Sequence, residues 1–160
     1  MAVEIERKFL LSFIPDNLKI QERKTIYQSY LATGKEEVRI RRVEWEDKSK
    51  FYMTYKNRLN NKQGREEIEI EITENTYHQL NNKSVPVIKD RLVIELGNGL
   101  YAEVDIFKNI GFELKTVEVE FKSYEEAEGF VPPDWFGREL TGTKEYNNQS
   151  LWMKVNGRDS

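Results

Sequence analysis

Apolar and polar residues alternate with a period of two over most of this chain. Successive side chains of a strand point to opposite faces, so such alternation predicts half-buried strands. It places them near residues 3–11, 24–32, 36–43, 50–57, 65–72, 88–95, 100–107 and 115–122. Turn residues separate these runs: Pro15-Asp16-Asn17, Thr33-Gly34, Asn60-Asn61 with Gly64, Gly97-Asn98-Gly99 and Asn109-Ile110-Gly111. The Asn-Gly pair inside Leu96–Leu100 suits a tight primed hairpin, because both central residues of that turn need positive φ.

Helical spacing interrupts the alternation in a few places. One helix is expected from about Thr73 to Asn82, with Thr73 or Asn75 as N-cap. A second starts at Ser123, three residues before Glu126, the spacing of a capping box. A last helical turn is expected near residues 147–155. Such a strand-rich chain, mostly antiparallel, escapes exposed sheet edges by closing on itself. The expected fold is therefore an eight-stranded antiparallel closed barrel, mainly β, with a few helices packed outside. Residues 1–160 are read as a single domain.

The strand parities sort the charges. Glu4, Glu6 and Lys8 share one face of the first strand; Arg39 and Arg41 share one in V-R-I-R; Lys56 shares one with Tyr52 and Thr54. Glu67, Glu69 and Glu71 alternate with isoleucines, Lys89 and Arg91 stand together, Glu103 and Asp105 likewise, then Glu118 and Glu120. Any one of these strands can be read as a half-exposed sheet with its charges in water. The set is harder to read that way. Like charges side by side on a sheet repel, and a solvated face normally mixes signs. Here whole strands are given to acid or to base, as if the rows met across a lumen. A dry lumen of that kind would be very costly without ions or ligands to complete it. Because acids outnumber bases in these rows, a divalent cation is wanted as well as a polyanion.

Composition narrows the function classes. The net charge is −3, so no general basic field attracts nucleic acid or acidic lipid. There is no cysteine, which removes disulfides, thiolate metal sites and cysteine nucleophiles. No apolar run approaches the about 18–20 residues of a membrane span, and the first residues carry charge by Glu4. A cytoplasmic location with no membrane and no nucleic-acid partner is expected.

The charged rows do supply chemistry. Arginine offers bidentate hydrogen bonds to phosphate and lysine a point charge. Mg²⁺ or Mn²⁺ takes oxygen ligands, commonly carboxylates plus substrate phosphates. Two such ions suit in-line attack on a phosphoryl group. Other hydrolytic routes are poorly stocked. The single histidine, His78, falls on an expected helix surface, and no nucleophile elbow, Walker loop or dinucleotide fingerprint is present.

E-I-E-R-K at Glu4–Lys8 fits an E-x-E-x-K signature, and with it the chain resembles the CYTH superfamily, the triphosphate tunnel metalloenzymes. The likeness continues in order through V-R-I-R-R, Y-M-T-Y-K, R-E-E-I-E-I-E-I, K-D-R, A-E-V-D-I-F, V-E-V-E-F and P-P-D-W-F-G-R-E-L-T. It is nearest to the short bacterial members that hydrolyse inorganic triphosphate. The resemblance implies a tunnel with a charged interior. Glu4, Glu6 and Glu120 would hold one Mg²⁺ or Mn²⁺. Glu67, Glu69, Asp105 and Glu118 would serve a second. Lys8, Arg39, Arg41, Lys56, Lys89, Arg91 and Lys144 would grip the phosphates, and Lys8, Glu67, Glu69 and Glu118 would carry catalysis.

Two ions in one site and hydrolysis to pyrophosphate and phosphate follow from the same likeness, and a homodimer is suggested by analogy. Other activities of the superfamily stay open (class IV adenylate cyclase, thiamine triphosphatase, RNA 5′-triphosphatase), and so does a non-catalytic polyphosphate- or nucleotide-binding module. Trp45, Trp135 and Tyr30 are the aromatics a ring-binding site would draw on, beside their simpler reading as packing.

Overall fold

The computed structural model describes residues 2–59 and 64–158. Nine strands are present among the described residues: β1 Ala2–Leu11, β2 Ile20–Ala32, β3 Glu36–Glu44, β4 Ser49–Arg58, β5 Gly64–Ile72, β6 Val87–Gly97, β7 Leu100–Phe107, β8 Lys115–Phe121 and β9 Phe136–Glu139. Eight of them run β5-β4-β3-β2-β6-β7-β8-β1, and β1 pairs back to β5, so the sheet closes into a ring. All pairings are antiparallel. The expected closed antiparallel fold is the observed one. The turn expected at Asn60-Asn61 lies outside the described residues.

β9 was not expected from the alternation. It is four residues long, and its role is visible only in the closed ring. β5 pairs with β1 over Ala2–Ile5, and β9 takes the same edge further on, opposite Phe9 and Leu11. The edge of β1 beyond the ring closure is thereby covered, as sheet edges generally must be. The expected hairpin is present: Gly97 pairs with Leu100, and Asn98 and Gly99 have φ of 54° and 74°, as a type I′ turn requires.

Two of the apolar clusters lie outside the ring, on the faces opposite the charges; a third fills one end of it, on the faces that carry Lys24, Lys89 and Glu103. α2 (Tyr124–Gly129), with Phe130, Trp135 and Phe136, covers the outer faces of β1, β7 and β8 through Phe9, Val104, Val117 and Val119. α3 (Asn148–Val155) presses Leu151 and Trp152 against Val87, Phe107 and Tyr30. α1 (Glu74–Leu80) lays Tyr77 on Ile40 and Phe51. Each fully buried large apolar side chain contributes roughly 1.5–3 kcal/mol to the ring's support. The caps are those read in the sequence: Thr73 Oγ1 accepts from Thr76 N–H and Ser123 Oγ from Glu126 N–H. The Glu126 carboxylate reaches the Lys122 N–H, one residue beyond the usual capping-box partner. No helix among the described residues is long and apolar enough to cross a membrane.

Candidate active site

The ring encloses a cavity of about 510 Å³. Glu4, Glu6 and Lys8 enter it from β1, Arg39 and Arg41 from β3, and Lys56 from β4. Glu67 and Glu69 come from β5, Lys89 and Arg91 from β6, Glu118 and Glu120 from β8. The two-residue period carries all of them inward, and the ladder register sets who faces whom. Lys8 stands opposite Glu118, Glu6 opposite Glu120, and Lys56 opposite Glu67.

Glu4, Glu6 and Glu120 offer carboxylate oxygens that all lie within 4.8 Å of one another. Three carboxylates this close do not all stay ionised at ordinary pH. Burial, then Glu118 and Glu4, push Glu6 well above the usual carboxylate range. Burial, with Glu4 and Glu103, pushes Glu120 up to about 7. Burial would raise Glu4 too, but Lys56 at 2.9 Å and Arg39 outweigh it and hold Glu4 down at about 2. An all-oxygen trio with surplus negative charge fits a hard divalent cation such as Mg²⁺ or Mn²⁺.

The other four acids are not drawn to one point. Glu69 accepts from Thr54 at 2.8 Å and pairs with Arg41 at 3.2 Å; Glu67 lies 3.4 Å from Lys56. Glu118 lies 3.6 Å from Lys8 and is held below the usual range, since Lys8, Lys89 and Arg91 outweigh its burial. Asp105 does not line the cavity. It is 0% exposed beneath the lining side chains, where it takes Arg91 in a two-pronged pair at 2.7 and 2.9 Å and Lys89 at 2.9 Å. Its short side chain, directly opposite Arg91 in the ladder, is saturated there. Lys144 does not line the cavity either. It is exposed on a short 3₁₀ turn, Lys144–Tyr146, while Thr143 and Asn147–Gln149 on either side face inward.

The cations are unequally matched. Arg39 is 7% exposed, and its guanidinium donates no hydrogen bond to any described residue; its Nε is buried without a partner. A buried, unpartnered guanidinium is costly until an anion completes it. Lys89 is fully buried, and burial outweighs Asp105 to bring it down to about 8. Arg41 falls to about 10 through burial and its neighbours Arg39 and Arg91. The arrangement is a cationic cradle for an anion, lying against a carboxylate cluster fit for a cation.

No family model matches the chain. A curated relative from Nitrosomonas europaea, named inorganic triphosphatase, is 32% identical over 152 residues, covering 95% of this chain and 98% of the relative. This chain belongs to the CYTH superfamily. A solved structure of an inorganic triphosphatase is 34% identical over 94% of this chain and 97% of its own, with a TM-score of 0.62. A putative adenylyl cyclase from Hippeastrum, described as having dominant triphosphatase activity, shares the fold at 18% identity and TM-score 0.58, over 81% of this chain and 83% of its own.

Within this CYTH tunnel the lining is richer in base than the sequence suggested. Among the described residues, nine basic side chains and eight acidic ones face the cavity, so the expected excess of acid is reversed. Lys24, Arg58, Arg65 and Glu37 make the difference, together with the absence of Asp105 and Glu71 from the lining. Arg65 and Glu37 share the parity of Glu67 and Arg39, so the period contained them. Lys24 shares its face with Ile26, which disguised β2 as an uncharged strand. Thr141–Thr143 and Asn147–Gln149 arrive from the far end of the chain and have no local signal. Of the aromatics, Tyr30 and Trp45 line the cavity, whereas Trp135 packs in the outer core.

Proposed function

We propose that this chain is a divalent-metal-dependent triphosphatase, one domain over residues 1–160, that hydrolyses inorganic triphosphate to pyrophosphate and phosphate. The observation that carries the reading is the close apposition, in one cavity, of the Glu4–Glu6–Glu120 cluster and the unpartnered Arg39. The activity named for the 32% identical relative supports the same substrate.

Glu4, Glu6 and Glu120 would hold Mg²⁺ or Mn²⁺, which would supply Lewis-acid neutralisation of charge on phosphoryl oxygens. Arg39 and Arg41 clasp phosphate oxygens bidentately, while Lys8, Lys56 and Lys89 add point charges. Arg91, fixed by Asp105 on the wall side, presents its remaining edge to the cavity. Glu67, Glu69 and Glu118 would serve a second ion and the attacking water. Lys8, beside Glu118, steadies the phosphoryl group as it is transferred. Nearly all of this is positioning and electrostatics, which is what phosphoryl transfer asks of a protein.

The test is to incubate the protein with inorganic triphosphate and Mg²⁺ and to identify the products. Equimolar pyrophosphate and phosphate are expected. Absence of turnover contradicts the proposal, and cyclic AMP with pyrophosphate from ATP would replace it with the cyclase reading.

A further inference from the structure

We propose that Thr54, buried beneath the cavity lining, is a positioning residue for the reaction. Its hydroxyl holds the Glu69 carboxylate by one oxygen, so that the other, Oε1, is presented to a divalent cation in the cavity. This rests on the triphosphatase reading and on the part that reading gives to Glu69.

Thr54 lies on the inner face of β4 between Tyr52 and Lys56, both of which line the cavity. Shorter than either, it stops below them at 0% exposure and is absent from the lining. In the ladder it stands between Arg39 on β3 and Glu69 on β5. Its Oγ1 donates to Glu69 Oε2 at 2.8 Å, and Arg41 Nη2 donates to the same oxygen at 3.2 Å. No described residue donates to Glu69 Oε1, and Glu69 lines the cavity.

The two donors are not equivalent. Arg41 faces the cavity, where a phosphate competes for its guanidinium. Thr54 cannot reach that phosphate, and its hydroxyl donates to no other described residue. Its bond to Glu69 therefore survives when substrate draws Arg41 away. A β-branched side chain is also restricted at χ1, so Thr54 cannot follow a moving carboxylate. The bond fixes Glu69 rather than the reverse.

Glu69 needs such a hold. Its side chain is 33% exposed, and a loose carboxylate loses rotamer freedom each time it takes a cation. Glu67 and Glu118 are placed differently, by Lys56 at 3.4 Å and Lys8 at 3.6 Å, and both lysines face the cavity themselves. A buried hydroxyl that merely needed an acceptor could give way to a methyl group of the same shape with no consequence for the reaction. A hydroxyl that orients a metal-binding carboxylate could not.

The experiment compares the wild-type protein with Thr54→Val, which keeps the shape and removes the donor, and with Thr54→Ser, which keeps the donor. Free Mg²⁺ is titrated at saturating inorganic triphosphate, and Mn²⁺ bound to the substrate-free protein is counted by electron paramagnetic resonance. In Thr54→Val the Mg²⁺ concentration for half-maximal rate should rise by about 10–100-fold, the usual loss when the outer partner of a ligand is removed. KM for triphosphate at saturating Mg²⁺ should barely change, because Thr54 does not touch the substrate. Wild-type protein should take up two Mn²⁺. Thr54→Val should weaken one of them by the same factor and spare the other, held by Glu4, Glu6 and Glu120. Thr54→Ser should restore both readings. If Thr54→Val does not fold, Thr54→Ala replaces it under the same expectations. Mn²⁺ binding unchanged in Thr54→Val, a single Mn²⁺ in the wild-type protein, or a serine variant as impaired as the valine one overturns the positioning role. Wild-type protein that binds both ions and leaves triphosphate intact overturns the triphosphatase reading instead, and Mn²⁺ binding still decides whether Thr54 holds Glu69.

Discussion

Glu6 on β1 stands directly across the ladder from Glu120 on β8. Like charges directly opposed on a sheet are destabilising, and here Glu4 joins them. Such a cluster works against the fold and is retained for what it can bind. Glu120→Gln should therefore raise the melting temperature of the metal-free protein, by about 2 °C on the usual scaling for a chain of this size. Turnover should fall by about 10²-fold or more, the scale seen when one charge-stabilising group is removed from a transition state. Thermal melts in chelator and initial rates in Mg²⁺ check the two halves; a destabilised metal-free variant contradicts the first.

The pH dependence follows from the same cluster. Glu6 and Glu120 titrate above the usual carboxylate range when folded, with Glu120 at about 7. Between about pH 4.5 and 7 the folded chain keeps protons that the unfolded chain has released, so these groups make the metal-free protein less stable as pH rises through that window. A cation must displace those protons, so its binding strengthens as pH rises. The Mg²⁺-induced rise in melting temperature should be larger at pH 8 than at pH 6. An equal or reversed effect would place the ion elsewhere.

Asp105 separates a wall anchor from a metal ligand. Because it is fully buried between Arg91 and Lys89 and pairs with both, Asp105→Asn should destabilise the protein by about 3–5 kcal/mol, the range for breaking a buried charge pair. Mg²⁺ affinity, read by calorimetry, should change little if the variant remains folded. A large loss of Mg²⁺ affinity with stability intact would return Asp105 to the metal site.

Arg39→Ala and Arg41→Ala should each cost about 10²–10³ in kcat/KM for inorganic triphosphate. Arg39→Ala should not unfold the protein, since no described residue depends on its guanidinium for a hydrogen bond. Near-normal rates in both variants would mean that the cradle does not hold the phosphates.

Glu71→Gln should be mild beside Glu69→Gln. Glu71 is 59% exposed and 3.9 Å from Lys50 at the strand end, outside the cavity lining. Equal damage from the two substitutions, measured as kcat/KM, would shift the site along β5.

Most of the site was legible because it is written in a two-residue period, and a strand has only two faces. That is how Glu4, Lys8, Arg39, Lys56 and Glu118 could be placed together without coordinates. Parity says which face a residue takes and nothing about how far it reaches. Asp105 and Glu103 share a face, yet Asp105 is buried in its pairs with Arg91 and Lys89 and does not reach the cavity. β9 and the segment around Gln149 were illegible for another reason. Their places depend on what the closed ring leaves uncovered, and that exists only after the strands between have assembled.

The most direct test of the central claim is kcat/KM for inorganic triphosphate measured in chelator and again after adding excess Mg²⁺. The account predicts no measurable turnover in chelator and full recovery with Mg²⁺, with ATP turned over less efficiently and pyrophosphate far less than either. Turnover in chelator equal to that in Mg²⁺ would contradict it, because the Glu4–Glu6–Glu120 cluster would then have no part in the reaction.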